Sequence, residues 1–144
     1  MPFNRYLNNV IRSEHHRHGI SKEIILEYDF ADFTGAQAAY TLTDPNGGAV
    51  TIPDNAIITA CYYEKITAMT SGGSATLALG ITGNTDAFLA ATAFNNAEYT
   101  TEIKVKHNEV PLKTSAAVSV LATIGTADLT AGKFRLYISY INGA

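Results

Sequence analysis

The feature of this sequence that most constrains its fold is a strict alternation of apolar and polar side chains near its end. Over residues 133–141, the apolar residues Phe134, Leu136, Ile138 and Tyr140 take every second position. Successive side chains of a β-strand point to opposite faces of the sheet, so a period of two is the signature of a half-buried strand. The pattern predicts a strand here, with these four side chains facing the core.

Several other segments carry the same period or are rich in β-forming residues. We predict further strands over residues 24–30, 40–43, 49–52, 56–69, 75–82, 100–106 and 117–124. Turn-forming residues separate them, most clearly in Asp44-Pro45-Asn46-Gly47-Gly48. About eight short strands joined by such turns are typical of an antiparallel β-sandwich, either jelly-roll-like or Ig-like. The predicted fold class is therefore all-β.

Two local predictions refine this picture. Residues 85–94 begin with the helix-capping types Thr85 and Asp86 and continue rich in alanine, which favours one short surface helix. The strand over 56–69 is followed by Ser71-Gly72-Gly73-Ser74 and then by the strand over 75–82, which predicts a hairpin.

The first 22 residues differ from the rest in charge and in pattern. They hold four basic residues against Glu14, whereas residues 23–144 hold six basic and twelve acidic residues. They show no strand period, and a short helix over residues 6–12 could place Tyr6, Leu7, Val10 and Ile11 on one face. We therefore divide the chain into an N-terminal arm, residues 1–22, and a β-sandwich domain, residues 23–144.

Composition argues against several functional classes. Hydrophobic residues make up 47% of the chain and charged residues only 16%, which excludes a disordered protein. No apolar run reaches about 18 residues, so no membrane span is expected, and the first residues do not resemble a secretory signal. The domain is acidic, and the arm's basic residues are too few to predict nucleic-acid binding.

Candidate chemical groups are sparse. His15, His16 and His18 form the one cluster that could bind a transition metal, but only His107 remains elsewhere, so contact with a partner is the preferred interpretation. The single cysteine, Cys61, lies in an apolar strand and is interpreted as a buried small hydrophobe. The acidic pairs Asp29 with Asp32 and Glu98 with Glu102 border strands, without the pattern of an acid–base pair. We predict no enzyme activity and no cofactor.

Parts of the sequence resemble small virion proteins of tailed bacteriophages. The resemblance lies in Pro-Asp-Asn-Ala at 53–56, Ala-Thr-Leu-Ala-Leu-Gly at 75–80, Leu-Ala-Ala-Thr at 89–92 and Leu-Thr-Ala-Gly-Lys at 129–133. It spans roughly residues 50–141 in a shared order and leaves out the arm. The resemblance implies a capsid decoration, cement or head-auxiliary protein, typically an oligomeric β-sandwich on the outer shell of the head.

The expected function is therefore a structural one in the virion. We expect the protein to be made in the host cytoplasm and to bind the major capsid protein on the outer capsid surface, as a homotrimer. The arm is the expected partner-binding segment, through Arg5, Tyr6, Arg12, His15, His16, Arg17 and His18. The alternative functions are a tail, neck or fibre-base subunit or a glycan-binding module for the host surface. The alternative for the arm is that it packs back on its own sandwich or pairs with it as an edge strand.

Overall fold

The computed structural model describes residues 21–143, which form two antiparallel sheets packed face to face. The strands are β1 (Lys22–Asp29), β2 (Ala39–Thr41), β3 (Ala56–Ser71), β4 (Thr76–Ile81), β5 (Asn84–Ala93), β6 (Ile103–Val105), β7 (Leu112–Lys113), β8 (Val120–Gly125) and β9 (Leu129–Asn142). The five-stranded sheet has the order β1-β9-β3-β6, with β7 also paired to β3, and the four-stranded sheet has the order β2-β8-β4-β5. The predicted antiparallel β-sandwich is confirmed.

The longest pairing joins β3 and β9 and forms the middle of the five-stranded sheet. It runs from Ala56 opposite Asn142 to Ser71 opposite Leu129, with bulges that bend both strands. Along β9, the four apolar residues predicted to face inward are all buried. Their neighbours on the same strand are more exposed, so the period of two assigns the two faces of β9 correctly.

Aromatic rings fill the core beneath this sheet. The Phe134 ring lies 5.2 Å from that of Tyr28 and 5.3 Å from that of Tyr63, measured between centroids. Tyr63 in turn meets Tyr99 edge to face at 5.5 Å. The hydroxyl of Tyr63 donates to the Tyr99 carbonyl and that of Tyr99 to the Leu77 carbonyl, so neither buried hydroxyl is left unpaired.

The helix predicted over residues 85–94 is wrong, because this segment is strand β5. Thr82 and Gly83 form a tight turn between Ile81 and its partner Asn84, and Gly83 has a φ of +84° that suits glycine. The backbone then pairs with β4 and buries Phe88 in the core. Pairing with β4 and burial of Phe88 outweigh the modest helix preference of alanine.

The two short helices lie elsewhere. Helix α1 (Phe30–Phe33) follows β1 directly, and the side chain of Asp29 accepts a hydrogen bond from Ala31 N at its start. Helix α2 (Ala97–Thr100) begins after Asn96, whose side chain accepts from Glu98 N. Asp and Asn are among the residues preferred at this position because they satisfy a free backbone N–H.

Three further predictions need correction. The hairpin predicted across residues 71–74 is wrong, because β3 and β4 belong to different sheets and this loop crosses between them. Residues 49–52 form only single bridges, from Ala49 to Thr43 and from Ile52 to Val118, rather than a strand. The strand predicted over 100–106 is shortened to β6, because α2 ends at Thr100 and residues 101 and 102 form a bend.

Candidate interaction face

The outer side of the five-stranded sheet is unusually apolar. The most exposed large hydrophobic side chains among residues 21–143 all lie on its strands: Ile25 (39% exposed), Tyr62 (42%), Ile66 (43%), Ile103 (61%) and Val105 (49%). Single exposed hydrophobic residues are ordinary on protein surfaces, whereas a contiguous patch marks a contact site. Their arrangement therefore decides whether this face has a function.

The strand register places these side chains side by side. Val105 is opposite Tyr62, Tyr62 is opposite Tyr137, and Tyr137 is opposite Ile25, which makes one row across four adjacent strands. Ile103 extends the row on β6. We call this row, with Ile66, the outer apolar face; its members are Ile25, Tyr62, Ile66, Ile103, Val105 and Tyr137.

The side chains next to this row form hydrogen bonds and ion pairs with their neighbours on the sheet. The Tyr137 hydroxyl donates to Glu64 Oε1 at 2.6 Å, and this hydrogen bond raises the pKa of Tyr137. Arg135 Nε donates to Glu27 Oε2 at 2.8 Å, which raises the pKa of Arg135. Lys133 lies 3.7 Å from Glu27. The charged groups thus pair with one another along the sheet, except Glu64, which accepts the hydrogen bond from Tyr137 and lies opposite Ile103.

The outer side of the four-stranded sheet carries smaller side chains. Ala39, Thr123 and Ala78 form its corresponding row across β2, β8 and β4. These side chains are small, and Thr41 beside them is exposed and polar. Among residues 21–143, large exposed hydrophobic side chains are therefore concentrated on the five-stranded sheet alone.

A groove lies beside the outer apolar face, between the edge strands β5 and β6. Its volume is about 550 Å³, and its lining includes Phe88, Leu89, Ile103 and Val105. The buried Lys106 is at its inner wall, where the side chain is fully covered. The rest of its lining is polar or charged: Glu98, Lys104, Lys106, His107 and Asn108. Glu98 and Lys106 bind each other and Asn108 donates to the Asp86 carbonyl, so we assign the groove no chemistry.

Lys106 belongs to a compact structural cluster. Its ammonium group donates to Glu98 Oε2 at 2.7 Å and to the Glu98 carbonyl, and it lies 5.1 Å and 5.2 Å from the ring centroids of Tyr63 and Tyr99. Burial lowers the pKa of Lys106, while the bond to Glu98 opposes that shift. The same bond lowers the pKa of Glu98 below its ordinary 4.5. The cluster joins α2 to the strand end after β6.

Because Glu98 must be ionised to pair with Lys106, we expect the protein to lose stability in acid. Since the folded protein holds Glu98 at a lowered pKa, the stabilisation is complete above the ordinary pKa of Glu98 and is lost as the pH falls through the lowered folded value. We expect the melting temperature to fall below about pH 4.5, and less steeply in Glu98→Gln. Thermal melts from pH 7 to pH 3 measure this. An equal slope in Glu98→Gln and in the exposed control Glu102→Gln would contradict it.

Cys61 and Asp29, which the sequence analysis singled out, have structural surroundings. Cys61 is fully buried, as predicted, and burial raises the pKa of its thiol to about 12. Asp29 caps α1 and lies 3.6 Å from Lys133. No group of three or more His, Cys, Asp and Glu residues within 21–143 could hold a metal ion. No helix in the same range is long and apolar enough to cross a membrane.

The arm residues predicted to bind a partner lie outside the described residues. These are Arg5, Tyr6, Arg12, His15, His16, Arg17 and His18. The sequence analysis did not predict the outer apolar face, to which Tyr62 and Tyr137 belong, whereas Tyr63 and Tyr140 of the same two strands face the core. The alternation within β3 and β9 does separate the two pairs, because Tyr63 and Tyr140 are buried while Tyr62 is exposed.

Comparison with known proteins identifies the fold. No protein-family model and no curated protein matches the chain. Several solved structures do, at low sequence identity. A chain in the acid-stable capsid structure of Helicobacter pylori bacteriophage KHP30 has a TM-score of 0.63 at 15% identity, over 88% of this chain and 91% of that one.

Two further capsid structures contain a similar chain. In the capsid asymmetric unit of cyanophage Pam1, the TM-score is 0.61 at 17% identity, over 85% of this chain and 84% of that one. In the capsid of Ralstonia phage GP4, it is 0.61 at 14% identity, over 88% and 86%. The protein thus has a β-sandwich fold that also occurs in chains of phage capsid structures.

Proposed function

We propose that this protein is a structural subunit of a phage virion that decorates the head shell and stabilises it without enzyme activity. The observation that carries the proposal is the near-equal coverage of the similar capsid chains, 88% against 91% in one of them. Equal coverage means that those chains are about as long as this one. In each of the three capsid structures, the similar protein is thus a separate chain of about this length. This favours an added subunit over a domain of a larger shell protein.

The topology supports the same proposal. One sheet has the strand order β1-β9-β3-β6 and the other β2-β8-β4-β5. The chain therefore crosses repeatedly between the sheets, as in a jelly roll, a fold that is common in viral capsids. The outer apolar face adds a surface suited to close contact with another protein, because such contacts have apolar and aromatic centres. We place the protein on the outer capsid surface, with the major capsid protein as its partner.

Self-association is a further part of the proposal. Threefold positions on an icosahedral shell suit a homotrimer, and several linked copies raise the avidity of a weak contact. The arginines and histidines of the arm, named above, supply donors for carboxylates and exposed carbonyls of a partner. Static light scattering of the purified protein at micromolar concentration is expected to give three times the mass of one 15.4 kDa chain; the mass of one chain would contradict it.

Copy number tests the decoration role. Densitometry of purified virions on a protein gel is expected to find this chain at an abundance close to that of the major capsid protein, because a decorating subunit repeats across the shell. A few copies to a few dozen per particle would reject the proposal in favour of a tail, neck or fibre-base subunit.

Removal of the arm tests its role in attachment. Deletion of residues 1–20 is expected to leave the melting temperature of the sandwich nearly unchanged, since residues of the two sheets pack against one another in a buried core. The same deletion is expected to abolish association with capsids that lack this protein. Unfolding of the truncated protein, or normal coating of capsids by it, would contradict the proposed anchor.

A further inference from the structure

We propose that the N-terminal segment of one copy, residues 1–20, lies across the outer apolar face of a second copy. The inference rests on the proposed self-association, although not on the capsid role. It identifies the surface that the arm binds in the free oligomer, before any contact with a capsid, and how the copies are linked.

The arm has an apolar side that matches such a surface. Its large apolar residues recur at intervals of three and four positions: Phe3, Tyr6, Leu7, Val10 and Ile11. This spacing puts them on one side of a helix, and the same spacing puts a second set on the opposite side: Arg5, Asn8, Asn9 and Arg12. A segment this short cannot bury its apolar side by itself, so it requires an apolar partner surface.

The outer apolar face has the size and the charge for this segment. Adjacent strands lie about 4.8 Å apart, so a row across four strands spans roughly 15 Å. Residues 3–12 would span about the same length as a helix. The outward positions of the sheet hold four carboxylates against three basic groups: Glu23, Glu27, Asp29, Glu64, Lys113, Lys133 and Arg135. The arm holds three arginines against Glu14, so the two surfaces are complementary in charge.

The place where the arm joins the sandwich favours a second copy over its own. Residue Lys22 begins β1, which is the edge strand of the five-stranded sheet. Chain that continues the direction of β1 runs off the end of the sheet, so a return over its own face requires a reversal of direction before Lys22. Because large exposed hydrophobic side chains within residues 21–143 are confined to this sheet, associating copies have this face to use. If the arm of each copy binds the face of another copy, no arm has to reverse its direction and the apolar faces are covered. Exchange of an element between copies is a low-cost route to association.

A disulfide trap in the full-length protein identifies the occupant. Val10→Cys is combined with Val105→Cys on the outer apolar face; the control combines Val10→Cys with Thr41→Cys on the outer side of the other sheet. The native Cys61 does not compete, because it is buried and burial raises its pKa to about 12. After mild oxidation, a non-reducing gel is expected to show covalent dimers or larger species for the first pair only.

The other outcomes of the trap overturn the proposal. A disulfide confined to single chains would mean that each arm covers its own sheet. No disulfide, or equal linkage in the control pair, would contradict the proposed placement of the arm.

A matched pair of charge substitutions gives an independent readout in solution. Ile11→Asp puts a charge on the apolar side of the arm, while Asn9→Asp adds the same charge on the other side. Light scattering is expected to show dissociation of Ile11→Asp to single chains and an unchanged oligomer for Asn9→Asp; identical masses for the two variants would contradict the proposal. Both tests use purified protein without capsids, so their failure is distinct from failure of the decoration role, which virion copy number decides.

Discussion

Replacement of Phe134 by alanine is expected to lower the free energy of unfolding by about 3–5 kcal/mol. Phe134 is fully buried in the middle of β9, and its ring contacts those of Tyr28 and Tyr63. Removal of the ring loses its burial and leaves a cavity between two large aromatic neighbours that cannot easily close over it. Since a domain of this kind has a total stability of about 5–15 kcal/mol, the variant would be close to unfolding at physiological temperature.

Equilibrium denaturation in urea measures this effect. Ile138→Ala, two positions further along the same buried side, is expected to cost about 2–5 kcal/mol. Ser139→Ala is the matched control on the opposite side of β9, and its change is expected to stay within about 0.5 kcal/mol. A similar small change for Phe134→Ala would mean that the core is not centred on these rings.

Replacement of Glu98 by alanine is expected to cost about 1.5–3 kcal/mol. The ammonium group of Lys106 is fully covered, and the Glu98 carboxylate, 2.7 Å away, is its counter-charge. Without the carboxylate, the buried charge keeps only the Glu98 carbonyl and the rings of Tyr63 and Tyr99 as partners. A buried charge that has lost its partner destabilises a fold far more than an exposed one does.

Lys106→Met separates this explanation from a general loss of packing. Burial lowers the pKa of Lys106, which means that burying the charged form already opposes folding. An apolar side chain of similar length avoids that cost, and the Glu98 carboxylate that remains is 31% exposed and can be hydrated. The change is therefore expected to be less than about 1 kcal/mol. Glu102→Ala, an exposed glutamate near the same helix, is the control for Glu98→Ala. A larger loss for Lys106→Met than for Glu98→Ala would contradict the argument.

Local pattern was sufficient where burial is one-sided. In β9 and β1, the period of two shows which residues face the core and which face outward. For that reason the core residues of β9 were predicted correctly: Phe134, Leu136, Ile138 and Tyr140. The antiparallel sandwich followed from the number of such segments and the turns between them. The burial of Cys61 followed in the same way, because an apolar strand surrounds it.

The sequence did not determine which strands pair. Residues 84–93 have the composition of a short helix, and only the tight turn at Gly83 and the backbone of β4 make them a strand. The loop at residues 71–74 suits a hairpin equally well, but burying both apolar surfaces requires the chain to cross to the other sheet there. Local preferences of a few tenths of a kcal/mol per residue are smaller than the gain from pairing and burial.

The candidate site depended on tertiary structure to the same degree. Ile25, Tyr62, Val105 and Tyr137 are far apart in the sequence, and only the order β1-β9-β3-β6 brings them into one row. In the sequence, Lys106 cannot be distinguished from an ordinary surface lysine. Its burial and its ion pair depend on α2, which brings Glu98 next to it. The sequence by itself therefore determined the fold class, the inner side of its clearest strands and the contrast between a basic arm and an acidic domain. The tertiary structure decided the apolar face and the buried ion pair, because contacts between distant segments depend on the pairing order, which no local pattern encodes.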